Sequence, residues 1–335
     1  MKLLVTGAAG FIGSAVMREA LSRGHVPVGF DALTYAAVPG SLAGVDAELI
    51  QGDIRDADAI ACAFRDHSPD AVLHLAAESH VDRSIDGPGD FVTTNVNGTY
   101  TLLEAARKAD CRFVHVSTDE VFGDLGPGDA PFKEATPYAP SSPYSASKAA
   151  SDHLARAWQR TYGLDVVVTN CSNNYGPRQH PEKLIPTVIL SALHGASIPV
   201  YGRGENVRDW LHVTDHARAI LDAAERGMTG ETYLIGAECE RDNLSVVRAI
   251  CGAMDKRFPD RAPHADLITF VTDRPGHDAR YAIDPSHIRH SLGWAPDVEF
   301  GPGLAATVDW YLDNRSWWES VVANGRLGQR LGLAS

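Results

Sequence analysis

The fold of this chain is decided near its start, by residues 2–13, KLLVTGAAGFIG. The apolar run 2–6 predicts a short strand, and the glycines that follow it predict a tight turn. The stretch from 11 to about 23 has the pattern of a helix, which Gly24 would end. A strand, a glycine turn and a helix in this order are typical of the first unit of an α/β sheet protein.

The glycines of this turn have a spacing that suits a dinucleotide. Gly7, Gly10 and Gly13 form G-x-x-G-x-x-G, which permits a tight turn, a close approach to a pyrophosphate and close packing of helix on sheet. Asp31 ends the second predicted strand, where a carboxylate accepts hydrogen bonds from ribose hydroxyls and repels a 2′-phosphate. An acidic residue at this position favours NAD over NADP. The alternative interpretation is that Asp31 is an exposed residue at a strand end, beside a turn that is only structural. Asp53, after the third predicted strand, could face the adenine.

The remaining pattern predicts a doubly wound parallel sheet, a Rossmann-type α/β fold. Strand and helix signals alternate up to about residue 172, and Pro and Gly then become frequent. We therefore expect a first domain over 1–175, with some later segments returning to it, and a smaller α/β lobe over 176–335. Predicted strands are 26–30, 47–51, 71–75, 112–117, 165–170, 232–235 and 268–271, and predicted helices are 91–108, 142–162, 215–226 and 244–254.

The charge of the chain argues against several partners. Its 335 residues carry 30 Lys and Arg against 43 Asp and Glu, a net charge of −13, and no basic cluster. Binding of nucleic acid or of an anionic membrane needs such a cluster. No apolar run reaches the length of a membrane span. The five cysteines are odd in number and widely spaced, which predicts reduced thiols in a cytoplasmic protein and neither disulfides nor a metal site.

A tyrosine and a lysine four residues apart are the first candidate catalytic pair. Tyr144 and Lys148 lie at the start of the predicted helix 142–162, and i, i+4 spacing puts both on one helical face. A cationic Lys beside a phenol lowers the pKa of the phenol and lets it act as a base. Taken alone, the pair is more often an ordinary surface pair; the glycine turn upstream makes the catalytic interpretation the stronger one.

A polar triplet follows the predicted central strand. Thr118, Asp119 and Glu120 stand at its carboxyl end, where open α/β sheets bind ligands. Adjacent carboxyls divide acid and base roles if their surroundings separate their pKa values. The alternative is a solvated acidic turn.

Taken together, these motifs resemble those of the dTDP-glucose 4,6-dehydratases, a family within the extended short-chain dehydrogenase/reductases. The resemblance runs from residue 2 to about residue 317, and the Thr-Asp-Glu triplet distinguishes dehydratases from sibling epimerases. It is carried by LVTGAAGFIGS (4–14), DALTYA (31–36), HLAAESHVDRSI (74–85), HVSTDEVFG (115–123), SSPYSASKAASD (141–152), TNCSNNYGP (169–177), PEKLIP (181–186), VRDWLHV (207–213) and DRPGHDARYAID (273–284).

The resemblance implies a lyase reaction on dTDP-glucose with NAD as cofactor. Tyr144, assisted by Lys148 and Thr118, would take the proton of the 4-hydroxyl while C4 gives hydride to NAD⁺. Glu120 would then remove the C5 proton, and Asp119 would protonate the departing 6-hydroxyl. Return of the hydride to C6 gives dTDP-4-keto-6-deoxyglucose.

The resemblance also implies binding residues, with an NAD-binding first domain and a second domain mainly for the nucleotide sugar. Implied cofactor residues are Gly7, Gly10, Phe11, Ile12, Gly13, Asp31, Ala32, Leu33, Thr34, Asp53, Ile54, Leu75, Ala76, Ala77, Thr94, Tyr144, Lys148 and Asn174. Implied substrate residues are Ser79, Thr118, Asn173, Lys183, Leu184, Pro199, Tyr201, Arg208, Asn243, Arg274 and His277. For the arginines the alternative is a salt bridge between the lobes, and for His277 a core or turn role.

Three other functions stay open at this point. The first is the same reaction on UDP-glucose or another nucleotide hexose. The base of such a substrate differs from thymine by as little as one methyl group, which changes the binding free energy by about 1–3 kcal/mol. A nucleotide-sugar 4-epimerase and a non-catalytic NAD-sensing regulator would share the fold. The resemblance further implies a homodimer through the helices 91–108 and 142–162, and we expect Trp310, Trp317 and Trp318 to serve packing or an interface.

Overall fold

The computed structural model describes residues 1–322; residues 323–335, the end of the predicted second domain, lie outside the described residues. The strands are β1 (Lys2–Thr6), β2 (Val26–Asp31), β3 (Leu49–Gln51), β4 (Ala71–His74), β5 (Arg112–Thr118), β6 (Val166–Cys171), β7 (Asn173–Tyr175), β8 (Ile198–Tyr201), β9 (Val207–His212), β10 (Thr232–Ile235), β11 (Glu240–Asp242) and β12 (Ile268–Val271). The helices are α1 (Phe11–Ser22), α2 (Ala57–His67), α3 (Val81–Asp86), α4 (Pro88–Phe91), α5 (Thr99–Ala109), α6 (Pro143–Tyr162), α7 (Leu184–His194), α8 (Val213–Arg226), α9 (Asn243–Arg257), α10 (Ser286–Leu292), α11 (Phe300–Asp313) and α12 (Arg315–Val322).

Seven parallel strands form the central sheet, in the order β10-β6-β5-β4-β1-β2-β3. Helices cover both of its faces, as the buried, non-alternating strands predict. This confirms the Rossmann-type α/β fold. The strand order reverses direction between β1 and β4, where Thr6 pairs with His74. Ligands of such sheets bind outside the carboxyl ends of the strands at this point.

Two elements after residue 175 return to the central sheet. β10 pairs with β6, with Thr232 opposite Val168, and so adds the seventh strand. α8 packs against α1, and Arg23 at the end of α1 forms an ion pair with Asp222 of α8 at 2.8 Å. The sheet is therefore built from both halves of the chain.

The predicted helix 91–108 contains an irregular segment. α4 and α5 are joined without a break by a π-helical stretch, Val92–Gly98. Buried Asn95 lies in this stretch, and its amide donates to the Glu78 carbonyl at 2.9 Å and to Ser147 Oγ at 2.8 Å. Such insertions often accompany functional sites. Here the insertion joins the loop after β4 to helix α6.

The start of α6 is fixed by its own sequence. Ser142 is the N-cap and forms a capping box with Ser145, and Pro143 occupies the first helical position. Gly163, with φ of +73°, ends the helix. The cap places Tyr144 in the first turn, next to the carboxyl end of β5.

A second hydrophobic core lies outside the sheet. It is formed by buried side chains of α7, α9, β8, β9 and α11, with Tyr175 and Trp318 among the largest. Trp318 Nε1 donates to the Tyr311 carbonyl at 2.8 Å, and Trp317 Nε1 donates to Ser41 Oγ at 3.1 Å. The tryptophans near the end of the chain thus pack the C-terminal helices onto the loop after β2.

All five cysteines are free thiols. Within residues 1–322, no helix combines the length and the apolar character needed to cross a membrane.

Candidate active site

The glycine turn between β1 and α1 leaves no room for side chains. A Cβ on Gly7, whose φ is +71°, would lie 2.9 Å from the Ala76 nitrogen, and a Cβ on Gly13 would lie 2.0 Å from the Gly7 oxygen. Gly10 is the N-cap of α1 and brings no capping side chain. The first N–H groups of α1 therefore have no side-chain cap and lie at the mouth of a cavity. Free N–H groups of this kind can bind an anion.

A cavity of about 480 Å³ extends from this turn along the carboxyl ends of the sheet strands. All but one of the predicted cofactor residues line it: Gly7, Gly10, Phe11, Ile12, Gly13, Asp31, Ala32, Thr34, Asp53, Ile54, Leu75, Ala76, Ala77, Thr94, Tyr144, Lys148 and Asn174. The exception is Leu33, which reaches the site through its backbone, because its N–H donates to Asp31 Oδ1 at 2.8 Å.

Two carboxylates lie at one end of this cavity. Asp31 is buried, unlike the exposed strand-end Asp of the alternative interpretation, and its Oδ2 accepts from the Ala9 N–H at 2.9 Å. Burial raises the pKa of Asp31, and the N–H groups of Leu33 and Ala9 oppose this. Asp53 is paired with Arg55 at 2.6 Å, and the hydrogen bond from Arg55 lowers the pKa of Asp53. This acidic end suits the hydroxyls of a ribose better than a further phosphate.

The helix α6 presents the tyrosine and lysine pair to the same cavity. Lys148 is 4% exposed, and its Nζ donates to the Val116 carbonyl at 2.9 Å. Burial and the nearby Glu120 raise the pKa of Tyr144 well above its ordinary value, whereas a hydrogen bond with Thr118 lowers it. Burial therefore dominates the pKa of Tyr144 in the protein alone, and the lowering expected from Lys148 stays a prediction.

The triplet after β5 is held in a short turn. Thr118 caps the 3₁₀ turn Asp119–Phe122, and its Oγ1 accepts from the Glu120 N–H at 3.3 Å. Asp119 is 2% exposed, and its Oδ2 has no hydrogen-bond partner among residues 1–322. The solvated acidic turn of the alternative interpretation does not describe this buried carboxyl.

The two carboxyls differ in their neighbours. Burial raises the pKa of Asp119 well above its usual range, and the carboxylates of Glu120 and Asp209 raise it further. Burial also raises the pKa of Glu120, but three cations oppose that rise: Arg274, Arg208 and Lys183. Asp119 is therefore suited to hold a proton, and Glu120 is the carboxyl that ionises more readily.

A second cavity, of about 600 Å³, opens toward the C-terminal lobe. Every predicted substrate residue except Thr118 lines it: Ser79, Asn173, Lys183, Leu184, Pro199, Tyr201, Arg208, Asn243, Arg274 and His277. Thr118 lines the first cavity instead. Of the triplet, Glu120 lines both cavities and therefore lies where they meet, whereas Thr118 and Asp119 line the first cavity alone. The other residues common to both cavities are Ser79, Asn173, His180, Glu182 and Lys183.

Two arginines of the second cavity have different partners. Arg208 is buried, donates to the carbonyls of Val207 and Asp278 at 2.8 and 2.9 Å, and has no ion pair within residues 1–322. Arg274 forms an ion pair with Asp82 of α3 at 2.9 Å. For Arg274 the alternative of a salt bridge between the lobes is present in the structure. Arg208, in contrast, lines the cavity without an ion pair to any residue from 1 to 322.

The aromatic side of the second cavity is also held in place. The rings of Tyr201 and His277 make an edge contact with centroids 6.3 Å apart. The Tyr201 hydroxyl donates to Asp82 Oδ2 at 3.3 Å, and His277 Nδ1 lies 2.6 Å from Asp273 Oδ1. Burial lowers the pKa of His277, so a neutral imidazole faces the cavity.

Sequence reasoning missed one cluster at the junction of the cavities. The guanidinium of Arg83 stacks 3.8 Å above the Tyr35 ring and pairs with Glu182 at 3.2 Å. The Tyr35 hydroxyl donates to Glu78 at 3.3 Å. Tyr35 and Glu182 belong to the quoted motifs DALTYA and PEKLIP, but their proximity depends on tertiary contacts that no spacing shows.

Known nucleotide-sugar enzymes share the sequence and the fold of this chain. The family model described as GDP-mannose 4,6 dehydratase matches residues 4–307. A curated dTDP-glucose 4,6-dehydratase of Escherichia coli is 52% identical over 360 residues, which cover 99% of each chain.

Two solved structures show the same fold. DesIV from Streptomyces venezuelae, a dTDP-glucose 4,6-dehydratase solved with NAD and dTDP bound, matches with a TM-score of 0.91 and 46% identity, over 96% of this chain and all of that one. UDP-glucose 4-epimerase of Thermus thermophilus, solved with NAD, matches with a TM-score of 0.85 and 31% identity, over 94% of this chain and all of that one.

Proposed function

This chain belongs to the dTDP-glucose 4,6-dehydratase family of extended short-chain dehydrogenase/reductases, and we propose that its two adjoining cavities hold NAD and dTDP-glucose. It is an NAD-dependent hydro-lyase that converts dTDP-glucose to dTDP-4-keto-6-deoxyglucose and water. The observation that carries the assignment of roles is the position of the Glu120 carboxyl where the cavities meet, next to the Asp119 carboxyl, whose proton affinity is raised more strongly.

The residues of the first cavity fit NAD. The tight turn, whose Gly7 and Gly13 leave no room for a Cβ, and the first N–H groups of α1 would hold the pyrophosphate, and Asp31 would accept from a ribose hydroxyl. When bound there, NAD⁺ would supply a positive charge and a two-electron acceptor for hydride from the sugar. In this assignment residues 1–175 form the NAD-binding domain, completed by α8 and β10.

Tyr144 is the base toward the 4-hydroxyl. Its phenol lies in the first turn of α6, and Thr118 at the end of β5 is within hydrogen-bonding reach. The high pKa of the buried phenol means that it needs cationic neighbours to lose its proton, which Lys148 supplies on the same helical face. Thr118 stabilises the phenolate by donating to it.

Glu120 and Asp119 carry out the elimination. A 4-keto group acidifies the C5 hydrogen, and Glu120, whose charge three cations favour, removes that proton. Asp119, which burial and its anionic neighbours keep protonated, donates to the departing 6-hydroxyl, which leaves as water. The proton gained by Glu120 and the proton given by Asp119 balance.

The second cavity takes the nucleotide part of the substrate. Arg208 and Arg274 would face the diphosphate, because guanidinium groups pair well with phosphate oxygens. Tyr201 offers a ring face to the base, and Pro199 lies two residues before it on β8. Lys183, Asn173 and Asn243 add polar contacts toward the sugar and diphosphate end.

A second copy of the chain is the partner that the surface favours. Tyr100 on α5 and Tyr162 on α6 are each about half exposed, and Trp158 lies between them, with ring centroids 5.8 and 5.5 Å away. These aromatics cover the two helices that the family resemblance assigns to a homodimer. Sedimentation of the wild type and of Tyr100→Arg tests this: the variant should be monomeric where the wild type is dimeric.

The free thiols and the acidic surface support a cytoplasmic location.

The direct test of the activity is incubation of the purified protein with dTDP-glucose, followed by alkali and measurement of the absorbance of a 4-keto sugar. We expect this absorbance to appear, with a higher kcat/KM for dTDP-glucose than for UDP-glucose. A higher kcat/KM for UDP-glucose would contradict the substrate assignment. A galactose product without the 4-keto absorbance would contradict the reaction.

A further inference from the structure

A third functional side chain continues the face of α6 that carries the tyrosine and lysine. Tyr144, Lys148 and Asp152 follow one another at intervals of four residues, which places them along one side of the helix. Exposure falls along this row, from 9% at Tyr144 to 4% at Lys148 and 0% at Asp152. Asp152 is thus a fully buried carboxyl one helical turn behind the lysine, on the side away from the cavities.

Both oxygens of Asp152 are held by hydrogen bonds. His115 Nε2 of β5 lies 3.0 Å from Oδ1, and Oδ2 accepts from the Tyr138 hydroxyl at 2.7 Å and from Asn170 Nδ2 at 3.0 Å. Burial lowers the pKa of His115, so the ring is neutral and donates its Nε2–H. Burial raises the pKa of Asp152, but the hydrogen bond from His115 and the charge of Lys148 outweigh this and lower it, so the group is a carboxylate at neutral pH.

Few groups near Lys148 can stabilise its charged form. Its Nζ donates to the Val116 carbonyl, and no carboxylate lies within ion-pair distance of it among residues 1–322. A buried ammonium without a counter-charge tends to lose its proton. Burial raises the pKa of the Cys171 thiol well above its usual range, so that group stays neutral. Asp152 is then the ionised carboxylate that favours the charged form of Lys148.

We propose that Asp152, held by His115, Tyr138 and Asn170, is a positioning residue that favours the charged form of Lys148, one helical turn from Tyr144 on the same face of α6. Asp152 touches neither cavity and acts on the reaction through the lysine. The inference rests on the proposed function, because the reaction requires Lys148 as a cation beside the phenol.

Other charged and titratable groups surround this row, and each has a defined effect. Arg156 on α6 donates to the Tyr138 hydroxyl, and His74 on β4 makes a ring contact with His115 at 5.4 Å. Burial and the charge of Lys148 lower the pKa of His74, which leaves it neutral. The groups that face the row are Tyr144 and Arg156 on α6, His74 on β4, His115 on β5, Asp119 and Glu120 in the following turn, Tyr138 in the loop before α6 and Cys171 on β6.

The test compares Asp152→Asn with Tyr138→Phe over a range of pH. Asn keeps the shape but removes the charge, whereas Phe removes one hydrogen bond to Asp152 and keeps its charge. The reduction of bound NAD⁺ by dTDP-glucose is followed in a single turnover by absorbance. As the pH is raised, the rate falls when Lys148 loses its proton. Without the carboxylate the pKa of Lys148 is lower, so in Asp152→Asn this fall should begin about one pH unit or more below that of the wild type. In Tyr138→Phe the pH at which the rate falls should be unchanged.

A second readout needs no cofactor turnover. A cation whose pKa is lowered on folding destabilises the protein below that pKa, and this effect disappears as the pH rises toward about 10. The loss of Tm in Asp152→Asn should therefore shrink as the pH rises from about 6 to about 10, whereas the loss in Tyr138→Phe should stay constant. Asp152→Ser, with room for a water molecule, serves as the neutral variant if Asn does not fold.

Two outcomes would overturn the inference. One is a uniform loss of rate in the neutral Asp152 variant at every pH, which indicates a purely structural role. The other is an unchanged pH profile for both rate and Tm. Failure of the proposed function is distinguishable, since the wild type itself would then give no 4-keto product.

Discussion

Arg274 and Asp82 form an ion pair of 2.9 Å, from Nη1 to Oδ1, across the second cavity. Asp82 lies on α3, which follows the sheet strand β4, and Arg274 lies after β12, in the C-terminal part of the chain. The same carboxylate accepts from the Tyr201 hydroxyl. A single acidic side chain thus orients both an arginine that we assign to the diphosphate and an aromatic ring that we assign to the base.

Replacing Arg274 by Ala should weaken substrate binding more than it slows the reaction. A hydrogen bond to a charged group contributes about 1.5–3 kcal/mol, so KM for dTDP-glucose should rise about 10- to 100-fold with a small change in kcat. Steady-state kinetics check this. Arg203→Ala is the matched control, because the Arg203 side chain is 83% exposed and pairs with Glu205 on the surface. A fall in kcat at unchanged KM would contradict the assignment of Arg274.

The two carboxyls after β5 should fail in different ways. Glu120→Gln removes the base, so neither exchange of the C5 hydrogen with D₂O nor loss of water should occur, and the turnover should fall about 10²- to 10⁴-fold. Asp119→Asn removes the acid, so C5 exchange should continue while water loss stops. NMR of the sugar in D₂O measures both. Exchange in Glu120→Gln would show that another group is the base.

The glycine turn should tolerate no methyl group. Gly13→Ala would bring a Cβ to 2.0 Å from the Gly7 oxygen, so we expect a loss of about 1–3 kcal/mol in the free energy of unfolding and a loss of NAD binding. Gly252→Ala, also inside a helix, has no atom within 4 Å of its Cβ and should stabilise by about 0.5–1 kcal/mol. Thermal unfolding and NAD titration measure these effects. Equal behaviour of the two variants would contradict the packing argument.

His216 should make the protein sensitive to acid. Burial lowers the pKa of this ring to about 3, below the 6.5 expected when the chain is unfolded, and its Nδ1 lies 2.9 Å from Asn174 Oδ1. Between about pH 6.5 and 3 the unfolded state binds the proton and the folded state does not. Stability therefore falls with falling pH, by up to about 1.4 kcal/mol per unit.

Tm measured from pH 7 to pH 4 checks this dependence. His216→Gln should have a smaller slope than the wild type, because it no longer binds the proton when unfolded. The exposed His153 serves as the control, and His153→Gln should keep the slope of the wild type. An unchanged slope in His216→Gln would show that the acid sensitivity arises elsewhere.

The sheet could be predicted from sequence because its strands are apolar and buried on both faces. Predicted and observed strands agree within about two residues, as in Ala71–His74 and Val166–Cys171. The strands of the C-terminal lobe were less visible. β8 contains Pro199, and β9 contains the buried charges Arg208 and Asp209, so neither has a continuous apolar pattern.

The site could be predicted where a short motif carries it. The glycine turn, the tyrosine and lysine pair and the Thr-Asp-Glu triplet all lie where their motifs indicate. The distant partners of such residues were not identified, although a salt bridge between the lobes was the alternative considered for the arginines. Asp82 meets Arg274 across 192 residues, and Asp152 meets His115 across 37. Only the folded chain brings these groups together, and local spacing contains no signal for them.

The most direct test of the central claim follows one hydrogen atom. The protein is incubated with dTDP-glucose that carries deuterium at C4, and the product is analysed by NMR and mass spectrometry. The account predicts dTDP-4-keto-6-deoxyglucose with the deuterium in the C6 methyl group, together with the loss of one water. Recovery of the deuterium at C4 of a galactose product, or a 4-keto product whose methyl group contains none of it, would contradict the account.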